Sequence, residues 1–302
     1  MSTFVILGDS AAAGVGDQVD EGIFKGWGHY LFSALPKMVE YHNLSRPGAR
    51  VAEVATVQLE IALELKPSLA IFIVGGNDVL RNNFNPTEMY ENLVITIKRL
   101  HEIGCDVYAM NLHDPSKIIP LPRVLKKVLQ RRVFAVNKIY ELLQERHDLK
   151  LLNITDIPEV YDKQIWHVDR MHPNKIGHQK LATYFAELLR KERYRTHPIY
   201  VDSPTRSSKI ENWRWMIQKG TPWFAKRSID LSDPVVAQLD LTYHDVRRDR
   251  GTFYLLKQAG LSKTYSATND VDHAKDSAPI DTRAHLRSKF IKAAQACDRD
   301  FT

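Results

Sequence analysis

The stretch Val5-Ile6-Leu7-Gly8-Asp9-Ser10 decides how the fold is interpreted, and it ends on a hydroxyl side chain. An apolar run that stops abruptly at Gly-Asp-Ser is typical of a buried strand that delivers a side chain to a loop. Because chemistry in α/β proteins concentrates just past the carboxyl ends of parallel strands, Ser10 is a candidate nucleophile. Gly, Asp and Ser are also ordinary turn residues, so this assignment depends on partners elsewhere in the chain.

Strand-like and helix-like segments alternate through the first two hundred residues. Predicted helices separate the predicted strands, as in βα units that build a parallel sheet covered on both faces. We therefore predict an α/β fold, a three-layer α/β/α sandwich with a flavodoxin-like five-stranded parallel sheet of order 2-1-3-4-5. The predicted strands end at Gly8 and then cover 38–41, 69–74, 106–110 and 150–154, and the predicted helices cover 27–35, 51–65, 86–101, 124–145 and 174–190.

Composition narrows the classes of function. The chain has 302 residues, of which 44% are hydrophobic, as is ordinary for a soluble globular protein. No apolar run approaches the roughly 18 residues of a membrane span, so no stable membrane insertion is expected. The N-terminus lacks the pattern of a secretory signal, which favours a cytoplasmic location. The net charge of +6 is not gathered into a basic arm, so no nucleic-acid partner is expected.

Further polar clusters follow the other predicted strands. Nucleophilic hydrolysis needs a hydroxyl, a base, a group that orients the base, and donors for the developing oxyanion. Ser10 would attack, His172 would act first as general base and then as general acid, and Asp169 would orient the imidazole. The Asn77 amide and the backbone N–H groups of Gly48 and Ser10 would form the oxyanion hole. Asp169 can reach His172 only if the segment between them turns, which Pro173 favours.

These residues resemble the motif blocks of a known family. Gly8-Asp9-Ser10-x-x-x-Gly14, Gly48, Gly75-x-Asn77-Asp78 and Asp169-x-x-His172-Pro173 are similar, in order and approximate spacing, to the four blocks of the SGNH/GDSL hydrolases. The resemblance covers residues 1 to about 190. It implies metal-free hydrolysis of a small acyl ester through an acyl-enzyme, with no cofactor. Thioester hydrolysis, carbohydrate deacetylation and acyl transfer use the same triad and remain alternatives.

Each residue also has a structural interpretation. Asn77-Asp78 is suited to cap the following helix, and Gly48 to form a turn after Pro47. Asp169 and His172, with His167 and His178 nearby, are ligand types that a metal ion accepts. The spacing does not form a compact two-histidine helical motif, so we favour the hydrolase interpretation.

The substrate pocket and the C-terminal third are less specified. We predict that Ile119, Leu121 and Trp166 line the acyl pocket, although all three are equally suited to ordinary packing. We expect a hydrolase domain over residues 1–195 and a mainly helical extension over residues 196–302. A scaffold or binding role of that extension is the alternative from a different class of function. Tryptophans and cations are close together there (Trp213, Trp215, Lys219, Trp223, Lys226 and Arg227).

Overall fold

A computed structural model describes residues 2–20, 23–119 and 121–203. The last of these residues still contact the domain. The His197 N–H donates to the Ala34 carbonyl (2.8 Å), and the Asp202 N–H donates to Gln179 Oε1 (2.8 Å). The predicted boundary at residue 195 stays a prediction, and the predicted helical extension from residue 204 onward lies outside the described residues.

A five-stranded parallel sheet forms the centre of the domain. The strands of the domain are β1 (Thr3–Gly8), β2 (Gln18–Asp20), β3 (Ile23–Phe24), β4 (Glu40–Asn43), β5 (Leu69–Ile73), β6 (Asp106–Met110) and β7 (Lys150–Leu152). The spatial order of the parallel sheet is β4-β1-β5-β6-β7, so its five strands, counted in chain order, run 2-1-3-4-5 and the predicted topology is confirmed. A short antiparallel ribbon, β2-β3, lies outside this sheet and was not predicted.

Helices cover both faces of the sheet. The helices are α1 (Gly26–Ser33), α2 (Val51–Glu53), α3 (Leu59–Leu65), α4 (Gly76–Val79), α5 (Pro86–Glu102), α6 (Arg123–His147) and α7 (Lys175–Glu192). On one face α1 packs against α7, where the Trp27 and Phe185 rings stack with centroids 4.8 Å apart. On the other face, α5 packs against α6, and Tyr140 of α6 contacts Phe72 of β5. Among the described residues, no helix combines the length and apolar character that crossing a membrane requires.

Strands β1 and β5 are buried along their whole length, because each is apolar on both faces. Burying one such Val, Leu, Ile or Phe side chain contributes about 1.5–3 kcal/mol. The two strands pair in register, with Leu7 beside Phe72 and Gly8 beside Ile73. Their carboxyl ends therefore lie together, and the residues that follow each strand start from neighbouring positions.

The prediction for the edge strand β4 lies two residues too early in the sequence. The prediction of 38–41 followed the apolar pair Met38-Val39, but Val39 is 65% exposed and precedes the strand. The pairing runs from Thr3 beside Glu40 to Ile6 beside Asn43. An edge strand has only one strand partner, so it tolerates polar side chains. A pattern of apolar residues is therefore a poor guide to where an edge strand begins and ends.

The predicted helix over 51–65 contains a wider turn. Residues Val54–Gln58 form a π-helical segment between α2 and α3. Gln58 is fully buried, and its amide contacts the backbone of Gly8 at the end of β1. The Gly8 N–H donates to Gln58 Oε1 (2.7 Å), and Gln58 Nε2 donates to the Gly8 carbonyl (2.9 Å). Gln58 therefore fixes the strand end that precedes Asp9 and Ser10.

Replacing Gln58 with leucine is expected to lower the free energy of unfolding by about 1–3 kcal/mol, because the buried Gly8 N–H loses its acceptor. Urea denaturation measures this change. Gln144→Leu on the exposed surface of α6 is the matched control and should change stability by no more than about 0.5 kcal/mol. Equal effects of the two substitutions would show that the Gly8 contact does not stabilise the domain.

A second prediction concerns pH. Burial raises the pKa of the Asp9 carboxyl to about 6, although the Ala11 N–H and the nearby His172 oppose the shift. An unfolded Asp titrates near 3.9, so between about pH 4 and 6 the folded protein holds a proton that the unfolded chain has released. Stability due to Asp9 therefore falls as pH rises.

The variant Asp9→Asn does not titrate at this position. Its free energy of unfolding, relative to that of the native sequence, should increase by up to about 3 kcal/mol between pH 4 and pH 7. Urea denaturation at the two pH values measures this difference, and a difference that does not change with pH would contradict the prediction.

Candidate active site

Ser10, His172 and Asp169 form a chain of hydrogen bonds. Ser10 follows β1, and its Oγ lies 2.7 Å from His172 Nε2. On the other side of the imidazole, His172 Nδ1 lies 2.8 Å from Asp169 Oδ2. With the proton on Nδ1, the ring donates to the carboxylate and Nε2 accepts from the hydroxyl. The structure thus brings together three side chains that the sequence separates by up to 162 residues.

The segment between His167 and Pro173 turns back on itself. Asp169 Oδ1 accepts the backbone N–H groups of Met171 (2.8 Å) and His172 (3.0 Å), and the His167 N–H donates to the His172 carbonyl (2.8 Å). Arg170 takes a left-handed conformation (φ 57°), which tightens the turn. A carboxylate three residues before the histidine can therefore orient the same imidazole.

Two histidines surround the Asp169 carboxylate. His167 Nδ1 lies 3.2 Å from Asp169 Oδ2, the same oxygen that His172 contacts. Burial raises the pKa of the Asp169 carboxyl, but hydrogen bonds from His167 and His172 outweigh burial and hold the pKa well below its usual range. Asp169 is therefore ionised at neutral pH, and its carboxylate is an acceptor for both imidazole rings.

Asn77 lies in the first turn of the short helix α4, four residues after the end of β5. Its Nδ2 donates to the carbonyl of Ala49 (3.0 Å), the residue after Gly48. Gly48 has a left-handed conformation (φ 85°), and a Cβ added there would meet no neighbouring atom. Among the described residues, no protein acceptor receives the backbone N–H of Gly48 or of Ser10. Both groups therefore have donor capacity for a ligand.

Asp78 ties the Gly48 loop to the end of β5. It is buried and accepts hydrogen bonds from Arg50 Nε (3.1 Å) and the Val51 N–H (3.2 Å). Burial raises the pKa of the Asp78 carboxyl, and Arg50 opposes that rise. Asp78 thus holds the start of the 51–65 helix. The helix that follows, α5, is capped instead by Asn85, whose Oδ1 accepts the Glu88 N–H (3.3 Å).

A cavity of about 130 Å³ opens beside the triad. Ser10, Asn77 and His172 contribute to its wall, and the predicted pocket residues Ile119 and Leu121 line it. The wall is otherwise largely apolar, with side chains from α4, α6 and the loop after β6. Six of these are Val79, Leu80, Leu112, Leu125, Leu129 and Val133. The arrangement suits an apolar group next to the Ser10 hydroxyl.

Two of the predicted site residues lie outside this wall, the oxyanion donor Gly48 and the pocket residue Trp166. Gly48 does not line the cavity, although its neighbour Ala49 binds Asn77. Trp166 is buried behind the wall, where its Nε1 donates to the Val160 carbonyl (2.7 Å). Its ring packs against His113, a cavity residue, with centroids 4.4 Å apart. Trp166 thus supports the wall through His113.

His178, which sequence analysis grouped with a metal-binding alternative, has a separate environment. The Trp27 N–H donates to its Nδ1 (3.3 Å), and its Nε2 lies 3.1 Å from the Val15 carbonyl. Burial lowers the pKa of His178 to about 4, so the ring is neutral. Within the described ranges, no group of three metal-binding side chains is placed to hold an ion.

Sequence analysis missed two residues at this site, Gln58 and His113. Gln58 interrupts the apolar stripe of the 51–65 segment between Val54 and Ile61, and a polar residue at such a position is a signal of a specific buried contact. His113 follows a predicted strand at the same sheet edge as Asn77, and this position is the one signal that could have identified it.

Comparison with family models divides the chain into two parts. The model of the GDSL-like lipase/acylhydrolase family matches residues 6–180. A model described as Pup-ligase protein matches residues 210–301, which lie outside the described residues.

Two curated relatives are Pup–protein ligases. A Pup–protein ligase from Actinosynnema mirum is 33% identical over 221 residues, which cover 68% of this chain and 47% of that protein. A Pup–protein ligase from Mycobacterium avium is 52% identical over 75 residues, 25% of this chain and 17% of that protein. This chain spans less than half the length of these relatives.

Solved structures share the fold of the first part. A lipase from a goat rumen metagenome has a TM-score of 0.52 and 17% identity, covering 62% of this chain and 97% of that one. A lipase/acylhydrolase from Enterococcus faecalis has a TM-score of 0.50 and 18% identity, and the match covers 68% of this chain and 100% of that one. The family match at residues 6–180 covers more than half of the sequence and confirms the resemblance of the motif blocks. The chain belongs to the GDSL-like lipase/acylhydrolase family.

Proposed function

We propose that the first part of the chain is a serine hydrolase that cleaves carboxylic esters through an acyl-enzyme. The observation that carries this proposal is the continuous contact from Ser10 Oγ through His172 to Asp169, with distances of 2.7 and 2.8 Å. A nucleophile, a base and an orienting carboxylate in hydrogen-bond contact are the arrangement that hydroxyl activation requires.

In the first half-reaction, Ser10 Oγ attacks the ester carbonyl carbon while His172 Nε2 takes the hydroxyl proton. The tetrahedral intermediate collapses, the ester C–O bond breaks, and His172 gives the proton to the departing alcohol. In the second half-reaction, water attacks the acyl-enzyme with His172 again as base, which releases the acid and restores Ser10. Asp169 stabilises the imidazolium in both halves without accepting its proton.

The oxyanion is assigned to three donors, the backbone N–H groups of Ser10 and Gly48 and the Asn77 amide. An amide nitrogen carries two N–H groups, and the contact with Ala49 occupies one of them. The other is left for the developing negative charge. Losing one such donor typically slows catalysis by about 100- to 1000-fold.

The cavity supports an apolar acyl group as the bound part of the substrate. Leucines and isoleucines next to Ser10 favour a hydrocarbon chain, because burial of apolar surface drives its binding. Thioesters, acylated carbohydrates and acyl transfer to an alcohol share this chemistry and differ only in the leaving or accepting group. The cavity wall favours a carboxylic ester with a hydrocarbon acyl chain.

A second function is proposed for residues 210–301, because they match the Pup-ligase protein model. The matched relatives are Pup–protein ligases, so we infer that this segment binds Pup as a protein partner. A small acyl ester was the one partner expected from the sequence, and this proposal adds a protein partner to it. Fluorescence anisotropy of labelled Pup titrated with the full chain tests it, and unchanged anisotropy up to about 100 μM would contradict it.

The esterase proposal predicts hydrolysis of p-nitrophenyl esters. Across acyl chains from acetate to palmitate, the native chain should be active on at least one ester, and Ser10→Ala should lower kcat/KM at least about 1000-fold. A chelator should leave activity unchanged, because the proposed chemistry uses no metal. Ser33→Ala on the exposed end of α1 is the matched control and should keep full activity.

Inactivity on the whole panel would contradict the esterase proposal. Equal activity of the native chain and Ser10→Ala would do the same, and loss of activity with the chelator would favour a metal-dependent reaction instead.

A further inference from the structure

The imidazole of His167 lies against the carboxylate of the triad. Its Nδ1 is 3.2 Å from Asp169 Oδ2, the oxygen that His172 Nδ1 contacts at 2.8 Å. This Nδ1 atom is shielded from solvent, although 35% of the His167 side chain is exposed. One ring nitrogen therefore lies inside the site beside Asp169, while another part of the same side chain reaches the surface. The esterase mechanism proposed above assigns no role to this residue.

The Asp169 carboxylate has donors around both of its oxygens. Oδ1 accepts the backbone N–H groups of Met171 (2.8 Å) and His172 (3.0 Å), and Oδ2 lies between the two imidazoles. An ionised carboxylate offers about four acceptor positions, so these two pairs of donors fill it. The ring of His167 occupies a position on the same oxygen that orients His172.

The main chain of His167 is fixed independently of its ring. Its N–H donates to the His172 carbonyl (2.8 Å), and its carbonyl accepts the Arg170 N–H (2.9 Å). The neighbouring residues Trp166 and Pro173 form a β-bridge across the turn. Because these contacts belong to the backbone, a change of the His167 side chain leaves them in place. The turn and the contact with the carboxylate can therefore be tested separately.

His167 acts on the reaction through Asp169. His172 is one of the described residues that line the cavity beside Ser10, whereas His167 and Asp169 are not. With its proton on Nδ1, His167 donates to Oδ2 and has two effects on the base. It keeps the oxygen in place, so that His172 keeps its tautomer and its orientation, and it partly neutralises the negative charge that His172 meets.

We propose that His167 is a positioning residue that shares the Asp169 carboxylate with His172, and that it thereby sets both the orientation of the base and the pH at which the base becomes active. This inference rests on the proposed esterase function and adds one residue to it.

The direction of the pH effect follows from the charges. His172 is an active base only when its Nε2 is unprotonated. A donor on Oδ2 weakens the attraction between the carboxylate and a protonated His172. Loss of that donor favours the protonated ring, so activity should begin at a higher pH when His167 is replaced by an apolar residue.

Other ionisable groups also act on His172. Asp9, after β1, and His178, on α7, interact with it electrostatically. Burial raises the pKa of Asp9 to about 6 and lowers the pKa of His178 to about 4. Arg170, in the same turn, is a permanent cation whose Nη1 donates to the Lys163 carbonyl (2.7 Å). These groups are the same in every variant of residue 167, so a difference between variants reports the change at that position.

Two replacements of nearly equal shape test the proposal. His167→Asn keeps an amide nitrogen at the position of Nδ1, whereas His167→Leu puts a methyl group there. On a p-nitrophenyl ester that the native chain cleaves, His167→Leu should lower kcat about 10-fold and change KM by less than about twofold. On the acidic side, its kcat/KM should reach half of the maximum at a pH at least about 0.5 unit higher than in the native chain.

His167→Asn should restore at least about half of both changes, because it keeps a donor on Oδ2. His197→Leu, at an exposed histidine, is the matched control and should behave as the native chain does. Two results would overturn the inference. One is an acidic half-maximum in His167→Leu at the native pH, and the other is equal behaviour of His167→Leu and His167→Asn. The pH of the half-maximum does not depend on the fraction of a variant that is folded.

A measurement without substrate separates this inference from the esterase proposal. The Cε1–H signal of His172, identified by its absence in His172→Ala, is followed by NMR as a function of pH. A titration midpoint that is higher in His167→Leu than in the native chain, and restored in His167→Asn, supports the role of His167 even if no ester is cleaved. An unchanged midpoint contradicts it even if esters are cleaved.

Discussion

The close approach of β1 to β5 at Gly8 is the constraint on which the site depends. Gly8 has a φ of 136°, and a Cβ added there would lie 2.0 Å from the Ile73 carbonyl oxygen. The Asp9 N–H donates to that same oxygen (3.1 Å), while Gln58 holds the Gly8 backbone from another element. Only glycine fits between these contacts, and Ser10 is delivered from this fixed point.

From this point the remaining parts are connected through short contacts. The end of β5 leads into Asn77 and Asp78, which bind Ala49 and Val51 and so place the Gly48 loop. The 167–173 turn is stabilised by its own backbone and by the Asp169 carboxylate. The proposed nucleophile, base and oxyanion donors thus come from separate segments whose positions are set by buried hydrogen bonds.

Much of this arrangement could be predicted from the sequence, because its signals are local. The apolar stretches of β1 and β5 identified central strands. The alternation of strands and helices, together with right-handed crossovers, favoured the flavodoxin-like order 2-1-3-4-5. The polar clusters after those strands identified Ser10 and Asn77. Gln58 and His113 escaped prediction, because their roles come from contacts with residues 50 or more positions away. The prediction for β4 was two residues too early, because an edge strand carries a weak hydrophobic pattern.

The central claim is that Ser10 is a nucleophile activated by His172. Treatment of the full chain with an alkyl fluorophosphonate, followed by peptide mass spectrometry, tests it most directly, since Ser10 Oγ would displace fluoride and keep the phosphonyl group. We expect one adduct, on the peptide that contains Ser10, and its loss in both Ser10→Ala and His172→Ala. An adduct on another residue, or equal labelling of Ser10→Ala, would contradict the account.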